Sequence, residues 1–193
     1  EIGSGLVGSE MCIRDRYKLL KYYTEHYRIQ KYEPCSGYIQ FMFIDLCPQS
    51  FYGLYDWWGI PKKGLQAILE SNAPVGAFAK HKDYLDSLYI VNDTDGALGE
   101  CELTWIITET LNGELVEKGS VKAEVPADSR VMVKTFEKEY GKGKKWNLTL
   151  ILSDNSGKCM AKNTYQDICT LLSRVDGHPD RMSHEFGMRL YWA

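Results

Sequence analysis

The stretch "GYIQFMFIDLCPQSFYGLYDWWGIPKKG" occupies residues 37–64 and decides how the chain is read. Over 38–46 it is apolar at almost every position. A run apolar on both faces suits a parallel strand covered on both sides. Asp45 stands at its carboxyl end, Pro48 breaks it, and Phe51, Tyr52, Tyr55, Trp57 and Trp58 follow before a Gly-Ile-Pro turn. In barrels of parallel strands the active site lies at the strands' carboxyl ends. Aromatic faces near a carboxylate suit a sugar ring, whose C–H face stacks while its hydroxyls hydrogen-bond. The same rings could instead cap a barrel mouth and pack on the next domain. Spacing alone leaves both readings open.

The flanks fit an α/β unit. Upstream, in "YKLLKYYTEHYRIQKYEPCSG", Leu20, Tyr23 and Tyr27 form one stripe, and Leu19, Tyr22, His26 and Ile29 a neighbouring one. That spacing predicts an amphipathic helix, stopped by Pro34 and Gly37. Downstream, "GIPKKGLQAILESNAP" predicts a second helix with Leu65, Ile68 and Leu69 facing inward and Pro74 beyond its end. Helix, buried strand, loop, helix is the rhythm of a mixed α/β layer.

The remainder alternates on a two-residue period. Cys101, Leu103, Trp105 and Ile107 fall on one face of a strand, with Glu102, Thr104 and Thr108 mostly on the other. Asn112-Gly113 is a hairpin signal, and Pro126 separates two further strands. Trp146, Leu148, Leu150 and Leu152 predict another inward face, with a turn over 154–157. Short strands separated by turns predict an antiparallel sandwich, and 81–193 is close to the roughly 100 residues such a domain takes.

Residues 37–62 resemble the last barrel strand and loop of glycoside hydrolase family 2, the β-galactosidase, β-glucuronidase and β-mannosidase group. The family pattern reads roughly G-x-x-x-W-Q-L-N-D-x-W-P-x-x-S-W-x-x-x-D-Y-x-G-x-P-K. Gly37, Asp45, Pro48, Asp56, Gly59, Pro61 and Lys62 keep its offsets. "EHYRIQKYEPCSG" resembles the family's seventh barrel helix, and "VNDTDGALGECELTW" the opening strands of the immunoglobulin-like sandwich that follows the barrel there. The departures are specific. Phe41 stands where the family has the tryptophan of the sugar-site floor, and it has no indole N–H to donate. Met42, Ile44 and Cys47 replace Gln, Asn and Trp, while Phe51 and Tyr52 replace a Ser-Trp pair.

The resemblance implies a fold class of α/β plus all-β: the last part of a (β/α)8 TIM barrel over 17–80, then an immunoglobulin-like antiparallel sandwich over 81–193. It implies a carbohydrate substrate and substrate-binding roles for Phe41, Asp45, Tyr52, Trp57 and Trp58, with Asp45 either binding a sugar hydroxyl or holding the loop. It assigns no catalytic residue here, because the family's two catalytic glutamates end the fourth and seventh strands, upstream of Tyr17. Glu25 lies mid-helix, on the outside of a barrel, and Glu33 near its bottom face. The partners implied are the sugar and the amino-terminal domains of the same chain. The reading from a different class is a complete, non-catalytic carbohydrate-binding or interaction module.

Residues 1–16, "EIGSGLVGSEMCIRDR", have no helix or strand period and resemble translated read-through of a sequencing adaptor. They are expected to be disordered, with the native chain entering mid-domain near Tyr17. The compartment stays open, with bacterial cytoplasm, periplasm or secretion all compatible. Of 193 residues, 44% are hydrophobic and 25% charged, and the net charge of −3 offers no basic face to nucleic acid. No apolar run reaches the ~18 residues a membrane helix needs. The six cysteines form no C-x-x-C pair and are expected to be buried thiols. His178 and His184 flank Arg181 and Glu185 in a polar loop with too few ligands for a metal. No cofactor or metal is expected.

Overall fold

The computed structural model describes residues 5–48, 53–81, 85–140 and 145–166. Two helices, α1 (Gly5–Ile29) and α2 (Lys63–Ser71), precede seven strands. These are β1 (Val75–His81), β2 (Leu85–Asn92), β3 (Gly99–Glu109), β4 (Leu115–Val125), β5 (Ser129–Tyr140), β6 (Trp146–Asp154) and β7 (Cys159–Tyr165). They form two antiparallel sheets, ordered β1-β2-β5 and β4-β3-β6-β7. The fourth strand therefore joins the sheet of the third, unlike the constant-type immunoglobulin arrangement.

The core lies between the sheets, where alternation put it. Cys101, Leu103, Trp105 and Ile107 on β3 and Leu148, Leu150 and Leu152 on β6 are buried, with Leu103 opposite Leu152 and Trp105 opposite Leu150. Ala77, Ala79, Leu85, Leu88, Ile90 and Phe136 face them from the other sheet. β1 and β2 are buried on their outer face too. Phe78, Tyr89 and Val91 pack there against Ile29 at the end of α1. Arg130 of β5 fixes that helix end, donating to the backbone oxygens of Ile29 (3.0 Å) and Lys31 (3.1 Å) and to the Glu33 carboxylate (2.7 Å). A cation that satisfies terminal carbonyls also complements the helix dipole.

Several expectations need correction. The stretch 38–46 is not a strand; it makes a single isolated bridge, Ile44 to Tyr55. Ile39, Phe41, Phe43 and Leu46 are all exposed, Ile39 at 95%. A strand needs a neighbour to pair with, and the described residues supply none beside this one, so no barrel sheet forms. The sandwich begins at Val75, because β1 pairs with β2 throughout, and not at 81. The backbone of 5–16 is helical rather than disordered. Once the docked turns of α1 provide a nucleus, each added residue extends the helix cheaply.

On α1 the buried stripe is the Tyr22, His26, Ile29 one, but it carries Lys21, Thr24, Glu25 and Arg28 with it. On α2 the buried residues are Gly64, Ala67 and Ser71, while Leu69 is exposed. Close approach decides that face: a Cβ on Gly64 would sit 2.7 Å from Cδ1 of Leu20. Of the cysteines whose side chains are described, all four are free thiols, but only Cys101 is buried; Cys47 and Cys159 are exposed.

Candidate functional site

The loop between α1 and α2 carries the residues singled out from the sequence. Its architecture follows from two aspartates. Asp45 is only 1% exposed. Its Oδ1 accepts from the Gly53 N–H at 2.6 Å, and its Oδ2 pairs with the Lys62 ammonium. Around it, the Leu54 and Tyr55 N–H groups donate to the Phe43 carbonyl at 3.0 Å, and the Asp45 N–H donates to the Tyr55 carbonyl at 3.1 Å. Burial alone would raise the Asp45 pKa. The donors on Lys62 and Gly53 outweigh it and hold the carboxyl below its ordinary value.

Beyond this anchor the chain makes a narrow arm. Tyr55 bridges Pro61, and the Lys62 N–H donates to the Leu54 carbonyl at 2.8 Å. Asp56 closes the tip. Its Oδ1 accepts from the Trp58 N–H (2.9 Å) and the Ile60 N–H (2.8 Å), a side-chain mimic of a turn. Trp57 and Trp58 sit on this tip, 50% and 69% exposed. Phe41, 77% exposed, lies on the first limb of the loop, and the Phe43 and Tyr55 rings meet at 5.1 Å. Thus Phe41, Trp57 and Trp58 are open to a ligand, whereas Asp45 is enclosed. Tyr52 lies outside the described residues, as do His178 and His184.

Sequence reasoning missed the roles of three residues. Lys62 and Asp56 appeared only as fixed offsets in a pattern, and Gly53 was not singled out. The available signal was complementary charge at Asp45 and Lys62, together with an Asp two residues before the second tryptophan.

The two tempting glutamates are committed elsewhere. Glu33 pairs with Arg130 on the surface. Glu25 is buried where the edge strands β1 and β7 meet under α1. It accepts from the Tyr165 hydroxyl (2.6 Å) and from Asn163 Nδ2 (3.0 Å), with the Lys21 ammonium at 3.4 Å. Asn163 also donates to the Ala77 carbonyl, and the Ala79 N–H donates to the Tyr165 oxygen, both at 3.0 Å. Two β7 side chains thereby stand in for ladder bonds to β1. Burial raises the Glu25 pKa, and the surrounding donors reduce that rise. The adjacent cleft of about 490 Å³ is lined by Tyr17, Lys21, Glu70, Gly76 and Ala161 among others. Among the described residues no group of three or more His, Cys, Asp or Glu side chains is placed to hold a metal. No described helix is long and apolar enough to cross a membrane.

The fold is that of two solved glycoside hydrolases. One is the exo-β-D-glucosaminidase CsxA, the exo-chitosanase of Amycolatopsis orientalis, which matches 78% of this chain at 20% identity with a TM-score of 0.69. The other is the β-D-mannosidase of Dictyoglomus thermophilum, which matches 79% at 20% identity with a TM-score of 0.65. At that identity the likeness is one of fold. This chain spans 18% of the length of each. Both are members of the family that the 37–62 pattern resembles. No protein-family model and no curated protein sequence matches the chain.

Proposed function

We propose that this chain is the carboxyl-terminal part of a β-glycosidase that hydrolyses O-glycosidic bonds with retention. The parent would hold two glutamates on upstream strands, about 5–5.5 Å apart, one as acid/base and one as nucleophile. This part would supply the last barrel strand over 38–46, the flanking helices, one wall of the sugar site and the trailing immunoglobulin-like sandwich. The substrate would be a β-linked hexopyranoside, the class named by the glucosaminidase and mannosidase of like fold.

The observation that carries this reading is the arm of 53–62. It is stapled internally by Asp45 and Asp56 and yet holds Trp57 and Trp58 out into solvent. An aromatic edge held exposed by these bonds suits the stacking face of a sugar site whose other walls come from elsewhere. The unpaired apolar limb over 38–46 supports the same reading, since upstream strands would cover it. The test is turnover: the pure chain should hydrolyse no aryl β-glycoside, and measurable release of the aryl group would sink the proposal.

A further inference from the structure

We infer that Asp45 is a positioning residue: its carboxylate clips together the two feet of the aromatic arm, Gly53 and Lys62, and so fixes how Trp57 and Trp58 face a sugar. This rests on reading the arm as a sugar wall. Of the two roles the sequence leaves open for Asp45, holding the loop or binding a sugar hydroxyl, it selects the first. Both oxygens of Asp45 are already taken, by the Gly53 N–H and the Lys62 ammonium, and the group is enclosed. A hydroxyl could reach it only by opening the clip.

The geometry makes the clip specific. Gly53 begins the arm and Lys62 ends it, and both tryptophans lie between them. The backbone bonds from Lys62 to Leu54 and from Asp56 to Ile60 set the arm's width. Only the carboxylate ties the arm back to the limb that carries Phe41 through charge. Gly53 is part of the device. A Cβ there would fall 2.5 Å from Asp45 Oδ1 and 2.5 Å from the Tyr55 carbonyl, so only glycine lets its N–H reach a buried acceptor. Charge-assisted bonds of this kind are about twice as strong as neutral ones, and a half-broken one leaves a buried charge unpaired. The Asp56 carboxylate is different. Its Oδ1 is used by the turn, while Oδ2 has no partner among the described residues. If a loop carboxylate meets a sugar hydroxyl, this is the oxygen free to do so.

The test reads ring positions with no sugar present, so its failure is separable from failure of the glycosidase reading. The full chain is labelled with 5-fluorotryptophan, and the Trp57 and Trp58 fluorine signals are assigned with Trp57→Phe and Trp58→Phe. Asp45→Ala and Gly53→Ala should each collapse those two signals toward the position of free fluorotryptophan, and Lys62→Met should bring them only part of the way. The Trp105 and Trp146 signals, which report the sandwich, should not move. Asp45→Asn keeps an acceptor for Gly53 and should restore part of the dispersion. In the parent the dispersion should survive acidification past the ordinary aspartate range. In Lys62→Met it should be lost at a higher pH, because the cation no longer opposes protonation. Unmoved Trp57 and Trp58 signals in Asp45→Ala and Gly53→Ala would overturn the inference. So would equal movement of Trp105 and Trp146, which would make Asp45 a prop of the whole fold.

Discussion

Replacing Tyr165 by phenylalanine should be costly out of all proportion to one oxygen atom. The ring stays, with its edge-to-face contact to His81 at 5.4 Å. What goes is a hydroxyl with three buried partners: it donates to Glu25 Oε2 at 2.6 Å, accepts from the Ala79 N–H at 3.0 Å, and lies 2.8 Å from Asn163 Nδ2. A hydrogen bond to a charged group contributes about 1.5–3 kcal/mol, and a buried N–H left without a partner costs about 1–3 kcal/mol. The two together predict about 2.5–6 kcal/mol, with the Asn163 contact shared among its other acceptors. That is a large part of the roughly 5–15 kcal/mol that stabilises a domain. The assay is urea unfolding followed by circular dichroism, with parent and variant compared at equal slope. A double variant with Glu25→Gln measures the coupling, which should be well above the few tenths expected of independent sites. A loss below about 1 kcal/mol in Tyr165→Phe, or additivity with Glu25→Gln, would refute the claim that this hydroxyl closes the seam between β1, β7 and α1.

Acid should also weaken the fold through two buried histidines. Burial lowers His26 to about 4 and His81 to about 3, with the nearby His26 lowering His81 further. An unfolded chain takes up these protons as pH falls through about 6.5, whereas the folded chain refuses them until about 4. Stability should therefore fall between pH 7 and 5, by about 4 kcal/mol for the pair at up to 1.4 kcal/mol per ring per unit. Glu25, with its raised pKa, acts in the opposite sense, gaining stability as pH falls toward the ordinary glutamate value. The comparison is thus with a His26→Gln, His81→Phe variant, whose urea midpoint should lose less on acidification; equal losses would refute the assignment. Leu150→Ala, in the centre of the sandwich, should cost about 2–5 kcal/mol in the same assay, and a loss under 1 kcal/mol would mean that the two sheets do not share one core.

The sandwich was legible because period-two alternation is a local signal. Leu103, Trp105 and Ile107 and their partners Leu148, Leu150 and Leu152 announce one buried face without knowledge of the other sheet. The strand expected over 38–46 was less legible for the opposite reason. Apolar residues over 38–46 state that the segment wants burial, but only neighbouring strands can grant it, and none lies among the described residues. On α2 two faces competed, and the small residues Gly64, Ala67 and Ser71 won because α1 approaches closely there, a fact no single helix records. The loop's locks were also non-local. Asp45 and Lys62 are 17 residues apart, and Glu25 and Tyr165 are 140 apart. Neither the exposure of Phe41, Trp57 and Trp58 nor the enclosure of Asp45 was legible, because both depend on what else packs against the loop.

The most direct test of the central claim lies in the source DNA. Reading it upstream of the Tyr17 codon should give an open frame long enough for the rest of a barrel of about 250 residues. That frame should contain one predicted strand ending in Asn-Glu and a later one ending in Glu. A start codon or a signal peptide lying immediately before Tyr17 would contradict the account. The chain would then be whole, and Trp57 and Trp58 would belong to a binding module with no catalytic half.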